Sequence, residues 1–243
     1  MSGAVPHTAM VLAAGLGKRM RPITDTMPKP LVPIAGKPLL DRGLDALAAA
    51  GVTRAVVNVH HFPDQIRSHL AGRKSPVIEI SDESAALLDS AGGIVKALPL
   101  LGAEPFLVLN ADTFWIEEGE ANLAALARAW DDARMDILLM VADPAQATGH
   151  TGGADFTMDA QGRLERNPGG ASGMIYAGAA ILHPRLFIGA EAVPHSLNRY
   201  FDASIAAGRL FGHAMRGRWI TVGTPDAIPL AEAAVARALA GAT

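Results

Sequence analysis

Up to residue 142, short apolar runs alternate with stretches of helical periodicity, and this alternation constrains the fold more than any other feature. Residues 8–13 form an apolar run closed by glycines and read as a buried first strand. Residues 55–59, 77–80, 106–109 and 137–141 read as further strands. Between them, a helix starting at Pro38 lines up Leu40, Leu44 and Leu47 and stops at Gly51. Residues 63–71 read as a short helix. Ser90 is placed to cap another, in which Ile94, Leu98 and Leu101 align and Pro99 kinks or shortens the end. Residues 119–130 turn Leu123, Leu126 and Trp130 inward. Strand then helix, repeated, predicts a Rossmann-like α/β fold: a mixed, mostly parallel sheet flanked by helices.

Beyond Asp143 the pattern changes. Residues 145–153 and 168–173 are rich in Gly, Ala and Thr and read as loops. Residues 156–158 and 163–165 flank Asp159-Ala160-Gln161-Gly162, a hairpin turn. Residues 174–182, 210–215 and 219–222 read as strands and 195–207 as a helix. Thr224 and Pro225 open a last helix with an apolar stripe of Ile228, Ala231, Val235 and Leu239. The expectation is one domain over residues 1–243. About 1–142 form its first portion, and about 143–243 its second portion and C-terminal helix.

Composition removes several functional classes. Half of the 243 residues are hydrophobic, enough for a substantial core. A formal net charge of −3 and the lack of a basic stripe argue against nucleic acid as a partner. There is no cysteine, which excludes disulfides, thiolate metal sites and cysteine nucleophiles. Residues 1–8 carry no secretory pattern and no apolar run is long enough to span a membrane, so the expected location is the cytoplasm. The sequence leaves the oligomeric state open between monomer and homodimer.

The first strand runs directly into Ala13-Ala14-Gly15-Leu16-Gly17-Lys18-Arg19-Met20-Arg21-Pro22. Glycines here let the backbone approach a polyphosphate, and successive amides can line an anion-binding concavity. Arg19 adds a fork of donors matched to phosphate oxygens. It is not a Walker loop, since Gly-Lys-Ser/Thr is missing. Nor is it the dinucleotide fingerprint, since Met20 replaces the third glycine. By itself the spacing is equally compatible with an ordinary tight turn. In Pro28-Lys29-Pro30-Leu31-Val32-Pro33, prolines on both sides of Lys29 are expected to hold an extended backbone and exclude helix. Such an ammonium suits a defined phosphate; the alternative is a solvated lysine in a proline-rich loop.

Taken together, Gly-x-Gly-x-Arg-Met-Arg-Pro-x-Thr followed by Pro-Lys-Pro-Leu-Val-Pro resembles the signature of the sugar-1-phosphate nucleotidylyltransferases. The match covers nearly every characteristic position of residues 12–38. The resemblance implies the nucleotide-diphospho-sugar transferase type of fold, with about 1–142 as the nucleotide-binding portion and about 143–243 as the sugar-binding portion, a nucleoside triphosphate and a sugar 1-phosphate as partners and Mg²⁺ as cofactor. It implies that Arg19 binds the β- and γ-phosphates and that Lys29 bridges the α-phosphate and the sugar phosphate. Ala13, Ala14, Gly15, Gly17 and Lys18 would complete the nucleotide loop. Leu88-Asp89-Ser90-Ala91-Gly92-Gly93 matches the family's base-reading turn, which adds Ser90, Gly92 and the upstream acidic Glu83 as nucleotide contacts. For this turn a plain N-cap by Ser90 is the other reading.

Asn110-Ala111-Asp112 follows an apolar strand at the carboxyl end, where open α/β sheets bind ligands. Asp112 is the expected Mg²⁺ ligand, the metal otherwise using phosphates and water. One departure stands out. Related uridylyltransferases carry Trp-Val-Asp-Val-Gly-Thr, whereas this chain has Trp219-Ile220-Thr221-Val222-Gly223-Thr224. Either Asp112 suffices, or Asp226 reaches in, or activity is reduced. Thr221 therefore keeps a second class in view, a catalytically weak nucleotide-sugar-binding regulator.

Within the family, residues 92–102 and 105–108, Leu182-His183-Pro184 and Trp219 resemble the uridylyltransferases that act on N-acetylmuramate 1-phosphate in cell-wall recycling. This implies UTP as donor and a sugar pocket formed by Asn110, Asp155, Asn167 and Gly178. Mannose 1-phosphate with GTP, glucose 1-phosphate with UTP or dTTP, and phosphocholine with CTP are the alternatives. His150, His183 and His195 are separated and read as helix-end or surface residues.

Overall fold

The computed structural model describes residues 5–169 and 172–241. Residues 1–4, residues 170 and 171 of the loop read over 168–173, and residues 242 and 243 lie outside the described residues. The strands, in chain order, begin with β1 Thr8–Leu12, β2 Pro33–Ile34, β3 Lys37–Pro38, β4 Arg54–Val59 and β5 Val77–Asp82. There follow β6 Phe106–Asn110, β7 Thr113–Ile116, β8 Ile137–Ala142, β9 Ala147–Thr148 and β10 Phe156–Met158. The last are β11 Leu164–Arg166, β12 Ile175–Leu182, β13 Leu210–Ala214 and β14 Arg218–Thr221. The α-helices are α1 Leu39–Ala49, α2 Pro63–Leu70, α3 Asp89–Leu101, α4 Asn122–Ala129, α5 Asn198–Ala206 and α6 Ala227–Gly241.

A seven-stranded sheet in the order β13-β8-β12-β6-β1-β4-β5 forms the centre. Its neighbours pair in parallel except at β12, which runs antiparallel to both β6 and β8. The mixed, mostly parallel sheet is thus present, and it draws strands from both portions of the chain. One face carries Leu44 and Leu47 of α1, Ile66 of α2 and Leu126 of α4; the other carries Ile94 of α3 and Phe201 of α5. The strands are buried on both faces because their apolar runs alternate between these two clusters. A smaller sheet, β7-β14-β9, stands beside the first, and α6 packs against it.

Several local expectations are corrected. The backbone at Lys29 is not extended: residues Lys29–Leu31 form a 3₁₀ turn, closed by Leu31 N donating to Pro28 O at 3.0 Å. Proline on either side excludes a longer helix but not one tight turn. Ser90 does not cap α3, whose first residue is Asp89 and which has no side-chain cap. Pro99 lies inside the last turn of α3, so the helix runs on to Leu101 and stops before Gly102 at φ 91°. Helix α4 starts at Asn122, since Gly119 has φ 82°, outside the helical region. At the C-terminus Leu239 is 67 % exposed and leaves the expected stripe. Among the described residues no helix is long and apolar enough to cross a membrane.

Candidate active site

The carboxyl ends of β1, β4 and β6 open onto a cleft of 640 Å³. Ala13 and Ala14 follow β1 directly, so their position is set by its register with β4 and β6. A buried relay fixes where the loop leaves the sheet. Ala13 N donates to Asn58 Oδ1 at 2.7 Å, and Asn58 Nδ2 donates to Glu83 Oε1 at 2.6 Å. Glu83 Oε2 in turn accepts from Leu88 N at 3.1 Å. Asn58 and Glu83 are almost fully buried, and a buried polar group that is fully hydrogen-bonded rigidifies its surroundings.

Gly17 makes the turn that follows, at φ 60°. A Cβ there would lie 2.9 Å from Thr24 Cγ2, so both backbone and space demand glycine. Thr24 Oγ1 donates to Gly17 O at 2.9 Å, and His61 Nε2 donates to Thr24 O at 2.9 Å. Gly15 differs: a Cβ added to it meets nothing within 4 Å, because it faces the cleft. Lys18 and Arg19 project from the turn as exposed cations with no ion pair among the described residues. The Arg19 guanidinium lies alongside Gly223, whose missing side chain leaves it room.

Deeper in the cleft, Lys29 Nζ pairs with Asp112 Oδ2 at 2.6 Å, although 83 positions separate them. Lys29 is the more buried partner, with 10 % of its side chain exposed against 35 % for Asp112. The backbone of Asp112 is held by strand exit: Val222 N donates to Asp112 O at 3.1 Å. Asp112 Oδ1 has no hydrogen-bond or ion-pair partner among the described residues, and no group of three or more acidic or histidine side chains forms a metal centre among them. One carboxylate oxygen on a cleft wall fits a Mg²⁺ ion that takes its other ligands from phosphates and water. It does not fit a resident ion caged by protein.

The cleft gathers Ala13, Ala14, Gly15, Gly17, Lys18, Arg19, Lys29, Ser90, Asn110 and Asp112. Glu83 and Gly92, expected as nucleotide contacts, do not line it. Glu83 spends both oxygens inside the relay. Gly92 sits against the backbone carbonyl of Val193, which occupies the space a Cβ would need. Ser90 lines the cleft, but its hydroxyl accepts from Leu197 N at 2.9 Å. The amides of Ala91 and Gly92 both donate to His195 O.

Asp155, Asn167 and Gly178 lie outside the lining. Asp155 Oδ2 accepts from Tyr176 N at 2.8 Å, and Asn167 Oδ1 accepts from Gly169 N at 3.1 Å. Gly178, at φ 79°, forms a bulge in β12 packed on Asn110 and Thr113. Beside it, burial and then the charge of Asp112 push the Tyr176 phenol above its ordinary value. His150 lies beside Trp219, His183 accepts from Arg185 N, and His195 bonds Val193 O and faces the Tyr200 hydroxyl.

Asn58, Leu87, Pro194 and Gly223 also line the cleft and were missed from sequence. Asn58 left a trace, as a polar residue inside the apolar run 55–59. Pro194 left none, because it arrives from the far half of the chain.

With the glycine-rich loop, the Lys29–Asp112 pair and the mixed sheet described, comparison with known proteins assigns the family. A MobA-like NTP transferase domain model matches residues 9–242. The chain belongs to the MobA-like NTP transferase domain family. It is 43% identical over 238 residues to N-acetylmuramate alpha-1-phosphate uridylyltransferase of Caulobacter vibrioides, covering 96% of this chain and 98% of that one. The Neisseria meningitidis protein of the same name is 35% identical over 237 residues, with 96% and 98% covered. The inositol-1-phosphate CTP transferase from T. maritima superposes with a TM-score of 0.77 at 18% identity over 96% of each chain, a likeness of fold. The family member described here is a sugar-1-phosphate nucleotidyltransferase.

Proposed function

We propose that the chain transfers the uridylyl group of UTP to N-acetylmuramate 1-phosphate, releasing pyrophosphate, as a cytoplasmic enzyme of cell-wall recycling. One observation carries the reaction type: Lys18 and Arg19, without an ion pair among the described residues, follow the glycine-rich turn, and the Lys29–Asp112 pair lies in the same cleft. The choice of donor and acceptor rests on likeness to the Caulobacter and Neisseria enzymes along nearly the whole chain.

An oxygen of the sugar 1-phosphate attacks the α-phosphorus in line. The bond from that phosphorus to the bridging oxygen breaks, and pyrophosphate leaves with the electron pair. No side chain becomes covalently attached, so the protein's task is positioning and charge neutralisation. Arg19 and Lys18 grip the β- and γ-phosphates, with the amides of residues 14–17 behind them. Lys29, held in its 3₁₀ turn and steered by Asp112, draws the α-phosphate and the acceptor phosphate together. Asp112 would hold Mg²⁺, which when bound would add to the neutralisation of the triphosphate's charge. Asn110 is the acceptor-side group on the cleft wall, and Asp155, Asn167 and Gly178 shape the wall behind it through β12.

A pyrophosphate-release screen of nucleoside triphosphates against sugar 1-phosphates tests this. The expected outcome is the highest kcat/KM for UTP with N-acetylmuramate 1-phosphate. A preference for GTP with mannose 1-phosphate would replace the specificity. Silence across the panel with tight nucleotide-sugar binding would point to a regulator.

A further inference from the structure

The cleft is chemically polarised. Gly15, Gly17, Lys18, Arg19 and Lys29 supply amides and cations on one stretch of wall. Leu87, Asp89, Ser90 and Pro194, gathered at the start of α3, line the cleft without any cation. A triphosphate is drawn to the first, which leaves the uncharged base of the nucleotide facing the second. Pro194 belongs to the half of the chain expected to bind the acceptor, yet it stands on this wall.

The reason is a strap over residues 193–197 that is tied to the start of α3. Ala91 N and Gly92 N donate to His195 O at 3.0 and 3.3 Å. His195 N donates to Leu88 O at 3.1 Å, and Leu197 N donates to Ser90 Oγ at 2.9 Å. The Val193 carbonyl fills the space that Gly92 leaves by lacking a Cβ. A helix start normally leaves its first amides unmatched, and here the strap satisfies two of them. The strap is thereby fixed against the turn Leu88-Asp89-Ser90, with Pro194 and Leu87 both on the cleft wall. The rigid apolar ring of proline suits the face of a planar base better than the hydroxyls of a sugar.

We propose that Pro194 packs against the nucleobase of the bound triphosphate, and that Ser90 is the positioning residue that pins the strap carrying it. The nucleotide is then held by both halves of the chain. This inference rests on the nucleotidyl-transfer reading of the cleft. Titration calorimetry of the full chain with UTP, UMP and inorganic tripolyphosphate tests it. Pro194→Gly is expected to weaken UTP and UMP about 5–10-fold, the scale of losing one or two buried methylenes, with tripolyphosphate unchanged. Ser90→Ala is expected to act in the same direction, and Ser90→Thr, which keeps the hydroxyl, to restore binding. Equal loss for tripolyphosphate would reduce the strap to a structural brace and overturn the proposal, as would unchanged UTP binding in Pro194→Gly. If the wild-type protein binds neither UTP nor any other nucleoside triphosphate, the underlying reading fails instead, and the unmutated protein alone reveals it.

Discussion

Thr221 shows how a side chain can depart from a family pattern while its backbone place is kept. It ends β14 opposite Thr113, and the next residue donates Val222 N to the carbonyl of Asp112. The strand therefore still braces Asp112, and only a carboxylate is missing. A single carboxylate suffices where the triphosphate brings most of the ligands. Thr221→Asp is accordingly expected to change kcat at saturating Mg²⁺ by less than about tenfold, or about 1.4 kcal/mol in the barrier. Steady-state kinetics across a Mg²⁺ series checks this. A larger gain, or a sharp fall in the Mg²⁺ needed for half-maximal rate, would show that the site lacks a ligand. The neighbouring pair illustrates what single residues reveal in a sequence. Lys29 and Asp112 were each legible from local motifs, yet their 2.6 Å contact was not, because nothing local records which strand ends meet.

Where two elements begin, a charged clamp does the work that apolar packing cannot. Asp136 precedes β8 and receives Arg185 Nε at 2.6 Å and Arg209 Nε at 3.0 Å. The same guanidinium groups reach the carbonyls of Asp132, Ala133 and Met135, fixing the turn that enters the strand. Burial by itself would raise the Asp136 pKa; the hydrogen bonds and charges of Arg185 and Arg209 outweigh it and hold the carboxyl below its ordinary value. A carboxyl depressed by folding contributes stability that is present above its unfolded pKa, about 3.9, and is lost as the pH falls through the folded value. Asp136→Asn is expected to cost about 1.5–3 kcal/mol near pH 7, the worth of hydrogen bonds to a charged group. Denaturant melts should show the gap between wild type and variant constant above pH 5 and closing below about pH 4. A gap that stays open at acid pH would assign the cost to packing. Elements with their own periodicity, such as α1 and β8, were legible from sequence. Strand β7 was not: it follows β6 after a short turn, and its partner β14 lies far along the chain. The hairpin β2–β3 was hidden too, since two-residue strands carry no alternation.

The two portions expected from the sequence share one sheet and one cleft, so neither is an independent module. Strand β12 inserts between β8 and β6, placing its bulge at Gly178 beside Asn110. The glycine-rich loop that carries Arg19 is supported from the far end of the chain. Met20, the last residue of its 3₁₀ turn, is fully buried in a cluster with Ile34, Phe114, Ile220 and Val222 and with Ala227, Ala231 and Ala234 of α6. Hairpin β2–β3 joins the same support: Ala35 N donates to Glu232 Oε1 at 3.1 Å, and Arg42, set 4.5 Å over the Phe114 ring, donates to Ile34 O at 2.6 Å. No local sequence signal links residue 20 to residue 231, since both are simply apolar positions on separate elements. Close packing transmits a change in one wall of such a cluster to the others. Ala231→Leu adds volume to a site with no exposed surface, and overpacking of this kind costs about 1–3 kcal/mol. Because Met20 belongs to the same cluster, the expected result is a lower Tm together with weaker UTP and tripolyphosphate binding, while the KM for the acceptor stays near wild type. Thermal melts and calorimetry on the same preparation check both parts. A lower Tm with unchanged triphosphate affinity would mean that α6 stabilises the fold without setting the geometry of the loop that carries Arg19.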